Sequence, residues 1–195
     1  KDYYFLKGFD WCELKDVVEE SLALLSELDY SPSIIVTVTN NRENPPSRKD
    51  LHGFHLQTSM QRIHYEMDAN DLCVVFFDEL ERSENKFLRQ AYNELVEEGD
   101  VFIQNYGNLL DSLNLQVSHH SVGVEFADYI AGTFLSLLRG YEGGTDIFNR
   151  QVAPFLRGQG DSEAVGHGVV DVPSRTKVRE NLKTKINSNT EDETT

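Results

Sequence analysis

Apolar residues along the chain follow two different spacings, one typical of helices and the other of strands. Trp11–Leu28 has apolar side chains three or four residues apart with acidic residues between them, which predicts an amphipathic helix. Ser33–Thr39 is β-branched and almost continuously apolar, as buried parallel strands are. Leu72–Phe77 repeats this second pattern and ends at Asp78. The first half of the chain therefore predicts helices alternating with buried strands.

The second half continues the alternation. The further helices are predicted at Leu51–Met67, Glu84–Glu98, Val122–Leu138 and Ser174–Lys185, with a partly helical stretch at Thr145–Leu156. The further strands are predicted at Leu113–Val117 and Val169–Val172, the second an edge strand because Pro173 follows it. This order favours one α/β domain over residues 1–186 with parallel strand pairing, and residues 187–195 are predicted to be a disordered polar tail.

The charge balance limits the partners of the protein. The chain has 33 acidic and 18 basic residues, and its formal net charge is -15. Such a chain does not bind a phosphate backbone broadly, since that affinity comes from Lys and Arg. The acidic total fits a high-salt cytoplasm or an ordinary solvated surface better than a concentrated cation site, because the acids are spread along the chain.

Several classes of protein are excluded by composition. No apolar run approaches the roughly 20 residues that span a bilayer, so a soluble cytoplasmic protein is expected. Cys12 and Cys73 lack a metal-binding spacing, and reduced thiols are expected for both. The last predicted helix carries the main positive cluster, which either contacts nucleic-acid phosphates or offsets nearby acids. This cluster consists of Arg175, Lys177, Arg179, Lys183 and Lys185.

Asp78 and Glu79 stand where a ligand site is expected in an α/β sheet. Ligands of open α/β sheets bind beyond the carboxyl ends of the strands. Mg²⁺ takes one or two carboxylates and completes its shell with water and substrate oxygens. The two acids are therefore candidate cation ligands, with capping of the following turn as the alternative.

A second candidate segment runs from Ser118 to Gly132. Glu125 and Asp128 are three residues apart on a predicted helix, so they can share one face. A stripe of small residues at Val124, Ala127 and Ala131 predicts close packing of this helix, and an acid among apolar neighbours is costly without a partner or a cation. The alternative is that Asp128 is simply solvated.

His119 and His120 precede this predicted helix, and further histidines, among them His55, lie on the predicted helix Leu51–Met67. At most one of His119 and His120 faces the site, because adjacent side chains on an extended segment point in opposite directions. The histidine that faces it is a candidate proton shuttle or phosphate donor. Ser118 is expected to have a structural role at the helix entry, and His55 to lie on the surface of its helix.

Two segments resemble a known family. Ser118–Gly132 resembles the hallmark segment of the domain-of-unknown-function 3800 family, and Phe76-Phe77-Asp78-Glu79 resembles its second acidic strand. The resemblance implies an RNase H-like fold, in which helices flank a mixed or parallel sheet. It also implies hydrolysis of phosphodiesters with Mg²⁺ or Mn²⁺. In that case Asp78 and Asp128 are metal ligands, and Glu79, Glu125 and His119 are secondary catalytic candidates.

The chain departs from the family pattern in two ways. The family begins with a strand that carries an Asp-Glu-Ser motif, and no such motif occurs in this sequence. Either that strand lies before Lys1 or one carboxylate has been lost. In addition, Glu125 stands where the family usually has Gln. The sequence thus predicts a metal-dependent nuclease, with a catalytically silent RNase H-like binding or assembly module as its rival and a small-molecule enzyme as a third possibility.

Overall fold

The computed structural model describes residues 11–40, 47–110, 112–158, 164–173 and 176–187. Arg175 and the predicted tail from residue 188 onward lie outside these ranges, whereas Asn187 is the last residue of a helix. The described chain is a mixed α/β structure. The RNase H-like arrangement suggested by the family resemblance stays a prediction.

The longer helices lie close to their predicted positions, whereas a short helix at Ala164–His167 was not predicted. The described helices are α1 (Trp11–Ala23), α2 (Arg48–His64), α3 (Arg82–Glu98), α4 (Val122–Arg139), α5 (Glu142–Ile147), α6 (Ala164–His167) and α7 (Thr176–Asn187). The chain extends α1 as a 3₁₀ turn at Leu24–Glu27. Beyond α5 it continues through a π-helical turn and a 3₁₀ turn that ends at Phe155.

Local sequence explains two of these helix boundaries. Ser47 caps α2, since its side-chain oxygen accepts a hydrogen bond from the Asp50 amide, so the helix begins three residues earlier than predicted. Gly140 ends α4 in the left-handed conformation, with φ of 73° and ψ of 31°. A Cβ is disfavoured there, which is why glycine stops the helix.

The strands form two separate parallel pairs. β1 (Val36–Val38) pairs with β4 (Val169–Asp171), and β2 (Phe76–Asp78) pairs with β3 (Asn114–Gln116). The parallel pairing was predicted correctly. Within the described ranges, however, each strand pair is a two-stranded sheet of its own.

Each sheet packs into its own hydrophobic core. The first core joins β1 and β4 to α1, to the second half of α4 and to α7; its residues include Leu22, Val36, Phe134, Val169 and Leu182. The second core joins β2 to α2 and α3; its residues include Leu56, Val75, Leu88, Tyr92 and Leu113. The described part of the molecule therefore contains two separate apolar clusters.

The prediction that β2 is a buried strand was wrong for one of its two faces. Val75 is buried in the second core, and Cys73 and Phe77 pack against it. On the opposite face Leu72, Val74 and Phe76 are 67%, 47% and 55% exposed. The apolar run indicated a strand covered on both sides, whereas among the described residues little covers this second face.

Candidate functional site

Asp78 is the last residue of β2, and a serine holds its side chain. Ser118 Oγ donates a hydrogen bond to Asp78 Oδ1 at 2.7 Å. Ser118 begins the 3₁₀ turn Ser118–His120 that precedes α4, and it is only 5% exposed. The bond joins the carboxyl ends of β2 and β3, since this turn follows β3 directly. It fixes the position of the Asp78 carboxylate.

Asp128 lies on α4 and lines the same groove as Asp78. This groove, named here the strand groove, has two adjoining parts that share Ile63, Cys73 and Val74. The first part has a volume of about 490 Å³ and is lined by Cys73–Asp78 on one side and by Gly123–Val124 and Ala127–Asp128 on the other. The two acids singled out by the sequence are therefore brought to one groove by elements 40 to 50 residues apart in the chain.

The environment of Asp128 differs from the expected one. Asp128 is exposed, and Ala127 and Ala131 on the same helix are exposed as well. Of the three small residues expected to let α4 pack closely, Val124 is buried, whereas Ala127 and Ala131 are exposed. The prediction therefore holds for Val124 alone, and Asp128 is solvated, as the alternative expected. Asp128 also lines a smaller apolar hollow of about 180 Å³ between α1 and α4, together with Lys15.

Glu79 and Glu125, the two acids expected as secondary catalytic candidates, lie outside the lining of the strand groove. Glu79 is exposed after the end of β2, and its Oε1 accepts a long hydrogen bond of 3.4 Å from Asn85 on α3. Glu125 is half-buried, and its Oε1 accepts a hydrogen bond of 2.8 Å from the Tyr129 hydroxyl one turn along α4. Glu125 thus has a partner on its own helix.

His119 lies in the 3₁₀ turn next to Ser118. The prediction assumed an extended segment in which neighbouring side chains point in opposite directions, and that premise was wrong because the segment is a turn. The His119 side chain lies outside the described part of the structure, and the His120 side chain is exposed. A role for His119 stays a prediction.

The last helix uses its apolar side in the fold. Leu182 and Ile186 on α7 are buried in the first core. Arg179 Nε lies 3.4 Å from Oδ1 of Asp171, a buried acid at the end of β4. Of the two roles expected for the basic cluster, Arg179 therefore has that of offsetting a nearby acid. Lys177 and Lys185 are exposed.

The two groove carboxylates suit one hard divalent cation better than two. Mg²⁺ is commonly held by one or two carboxylates, with water and substrate oxygens as the other ligands. Within the described ranges, no group of three or more His, Cys, Asp or Glu residues has a geometry that would hold a metal ion. The donor set of Asp78 and Asp128 therefore fits a weak, water-rich magnesium or manganese site.

Sequence reasoning missed Ser118 as the partner of Asp78. It interpreted Ser118 as a helix-entry residue, but α4 begins at Val122 and the Ser118 hydroxyl reaches β2 instead. The two residues are 40 positions apart, and no local pattern encodes a contact of that separation. Small hydroxyl residues that precede a candidate helix can be identified, but their distant partner cannot.

Comparisons with known proteins leave the family resemblance untested. No family model matches the chain, and no curated protein and no solved structure resembles it significantly.

Among the described helices, none combines the length and the apolar character that crossing a bilayer requires.

Proposed function

We propose that the protein binds one divalent cation, Mg²⁺ or Mn²⁺, between Asp78 and Asp128 and hydrolyses phosphodiester bonds of nucleic acid at this place. The observation that carries the proposal is that both carboxylates line the strand groove at the carboxyl end of β2. Ligands of α/β proteins bind at this end of the strands. The hydrogen bond from Ser118 supports it further, because it keeps one carboxylate in a fixed position.

The net charge makes the cation necessary for such a substrate. A chain with a formal charge of -15 repels a phosphate backbone at long range. A bound divalent cation would polarise a phosphoryl oxygen and would lower the pKa of its bound water, which makes hydroxide easier to form. Asp78 and Asp128 hold the cation, and Ser118 orients Asp78. The exposed Lys177 and Lys185 of α7 are candidate phosphate contacts.

The cation site can be tested by thermal unfolding in increasing Mg²⁺ or Mn²⁺. If the dissociation constant is about 1 mM, 10 mM cation stabilises the fold by about 1.4 kcal/mol, which raises Tm by about 3–5 °C. The rise should be absent in Asp78→Asn and Asp128→Asn. It should persist in Glu97→Gln, which removes one exposed carboxylate on α3. An equal rise in all four proteins would refute the site.

The activity needs a separate assay. Labelled single-stranded RNA, single-stranded DNA and RNA–DNA hybrid are incubated with each protein in 10 mM Mg²⁺ or Mn²⁺ and, in parallel, in EDTA. Cleavage should require the cation and fall at least about a hundredfold in Asp128→Asn, which corresponds to about 2.7 kcal/mol. Cleavage that persists in EDTA, or in both Asp78→Asn and Asp128→Asn, would not come from the proposed cation site and would contradict the proposal.

A second candidate function is a non-catalytic binding or assembly module. It is favoured by the small donor set, because two-metal phosphodiester hydrolysis ordinarily uses more carboxylates than the two that line the strand groove. A cation-induced rise in Tm without cleavage of any of the three substrates would select this candidate.

A further inference from the structure

β2 has a backbone edge that turns toward the strand groove. The amides of Leu110 and Asn114 donate to the carbonyls of Cys73 and Val75, and the amide of Glu79 donates to the Gln116 carbonyl, so alternate residues from Cys73 to Glu79 bond to the β3 side. In a parallel pair the intervening residues direct their amides and carbonyls to the other side. These residues are Val74, Phe76 and Asp78, and within the described structure the backbone groups of Val74 and Phe76 have no strand partner.

β1 has the same kind of edge. The amide of Val36 donates to the Gly168 carbonyl and the amide of Val172 donates to the Val38 carbonyl, so these two residues of β1 bond to the β4 side. Thr37, between these two residues, therefore turns away from β4. Ile35, just before β1, turns the same way, because Ile34 bonds to Phe155 and Arg157 on the β4 side. Of the described strands, only β4 pairs with β1.

The strand groove lies against both of these edges. Its second part, of about 850 Å³, is lined by Ser33 and Ile35 just before β1 and by Leu72 and Val74 just before β2. Residues of the last turn of α2 and just beyond it complete this lining. A polypeptide segment placed there would have hydrogen-bonding groups on both sides, which is what an extended backbone needs.

The side chains along the strand groove specify the chemistry of such a segment. Leu72, Val74 and Phe76 present an exposed apolar face with the period of two that a partner strand matches. The charged residues that line the two parts of the groove are the acids Glu66, Asp71, Asp78 and Asp128, of which Glu66 forms an ion pair with Arg157. A matching segment therefore alternates apolar residues and carries Lys or Arg at its ends.

The division of the hydrophobic core supports the same interpretation. The first core lies on the β1 side of the strand groove and the second core on the β2 side. A small domain usually has one contiguous core. A strand seated between the two edges would place its own apolar side chains beside Leu72, Val74 and Phe76 and would bridge the two clusters.

We propose that the strand groove binds an extended segment of a partner polypeptide, with alternating apolar residues and basic ends, which pairs with the open edge of β2. Backbone hydrogen bonds supply affinity, and the apolar face and the groove acids supply selectivity. Nucleic acid does not fit this groove without a cation, since four acids line it. The inference does not depend on the proposed cation site and is tested in EDTA.

The experiment measures hydrogen exchange at the amides of Val74 and Phe76 by NMR, with and without a blocked synthetic peptide, Lys-Val-Thr-Val-Thr-Val-Lys. The two amides should exchange fast in the protein alone and slow by at least about tenfold in about 1 mM peptide. A peptide with proline at its central position cannot donate the bond and should have no effect. A peptide with Glu in place of Lys should bind more weakly.

Substitutions on the groove face provide the matched control. Val74→Lys and Phe76→Lys place a charge on exposed positions, so the fold should persist while the peptide binds at least about tenfold more weakly, or about 1.4 kcal/mol. Val101→Lys replaces an apolar residue that is 92% exposed in the loop after α3, away from the groove lining, and should leave binding unchanged.

Three results would overturn the proposal. The first is fast exchange of both amides at the highest peptide concentration. The second is slow exchange without peptide at every protein concentration, which would mean that the protein's own chain fills the groove. The third is protection that rises with protein concentration alone, which would assign the edge to a second copy of the chain. Equal weakening by Val101→Lys would show that the peptide binds non-specifically.

Discussion

Asp100 shows how much a single carboxylate can organise in this protein. One of its oxygens accepts the amides of Phe102 and Ile103 at 2.7 and 2.8 Å, and the other accepts Gln61 Nε2 at 2.7 Å and the Tyr106 hydroxyl at 2.8 Å. Burial alone would raise the pKa of Asp100, but these hydrogen bonds outweigh it and lower the pKa to about 2. The charged carboxylate therefore fastens the loop after α3 to α2.

We predict that Asp100→Asn destabilises the fold by about 2 kcal/mol at pH 7, because the amide cannot accept all of these bonds. The folded-state pKa lies below the unfolded value of 3.8. The stabilisation is therefore complete above about pH 4 and is lost as pH falls toward about 2. Chemical denaturation of both proteins at several pH values measures this. The stability difference should shrink over that range, whereas Glu97→Gln should differ little from wild type at any pH.

The Asp78–Ser118 bond illustrates what residue patterns can and cannot reveal. Asp78 could be identified from the sequence because it ends an apolar run. Asp128 could be identified because it lies in the segment that resembles a known family. Their shared groove is a tertiary property, and no local spacing encodes it. The expected burial of Asp128 was wrong since small neighbours such as Ala127 and Ala131 are exposed here.

At the scale of elements, α2 is attached to β1 through one histidine. The Thr39 hydroxyl donates to the Val172 carbonyl at 2.6 Å, so it accepts from His55 Nε2 at 2.9 Å. With Nε2 protonated and the ring neutral, His55 Nδ1 accepts from the Thr37 hydroxyl at 2.7 Å. The expected place of His55 on the helix surface was wrong, because β1 covers it.

We predict that the stability of the protein falls between about pH 7 and pH 5 because of His55. The pKa of His55 lies below its usual value of 6.5, mainly because the ring is partly buried and to a smaller extent because of the charge of His52. The neutral ring stabilises the fold above that value, and this contribution is lost as pH falls through the folded-state pKa. Urea denaturation should show a shallower pH dependence in His55→Ala than in wild type.

The same variant should also be less stable at pH 7.5 by about 1–3 kcal/mol, since two threonine hydroxyls lose a partner. His167→Ala changes an exposed histidine and is the matched control. If His55→Ala keeps the full pH dependence, another group is responsible for it.

Element boundaries could be predicted to within a few residues, but strand environment could not. The helices and the parallel pairs follow from apolar periodicity, and Gly140 ends α4 for a local steric reason. The run Leu72–Phe77 indicated a strand buried on both faces. Whether a strand has neighbours depends on distant segments, so the exposed face of β2 could not be derived from its own composition.

At the scale of the whole molecule, the dominant electrostatic property is the charge of -15. Like charges spread over one small domain repel each other and destabilise its compact state. Added salt shortens the screening length from about 30 Å at 0.01 M to about 3 Å at 1 M. Screening also weakens the few ion pairs of the described surface, such as Arg150 with Glu19 and Asp146. This loss of stability is smaller than the gain from the weaker net repulsion.

We therefore predict that Tm rises by at least about 2–4 °C, or about 1 kcal/mol, between 0.01 and 1 M KCl. Calorimetry in EDTA separates this screening from divalent-cation binding. Glu97→Lys reduces the net negative charge by two at an exposed position, so its Tm should exceed that of wild type at low salt and depend less on KCl. A Tm that is constant or falls with KCl would contradict the prediction.

The two separate cores have a consequence for folding cooperativity. Each cluster contains enough buried side chains to hold its own strand pair, and the two lie on opposite sides of the strand groove. Because little apolar surface ties them together, denaturant should melt them in succession, with one half of the molecule losing structure while the other keeps its amide protection. A molecule that occupied the gap would merge these steps into one transition.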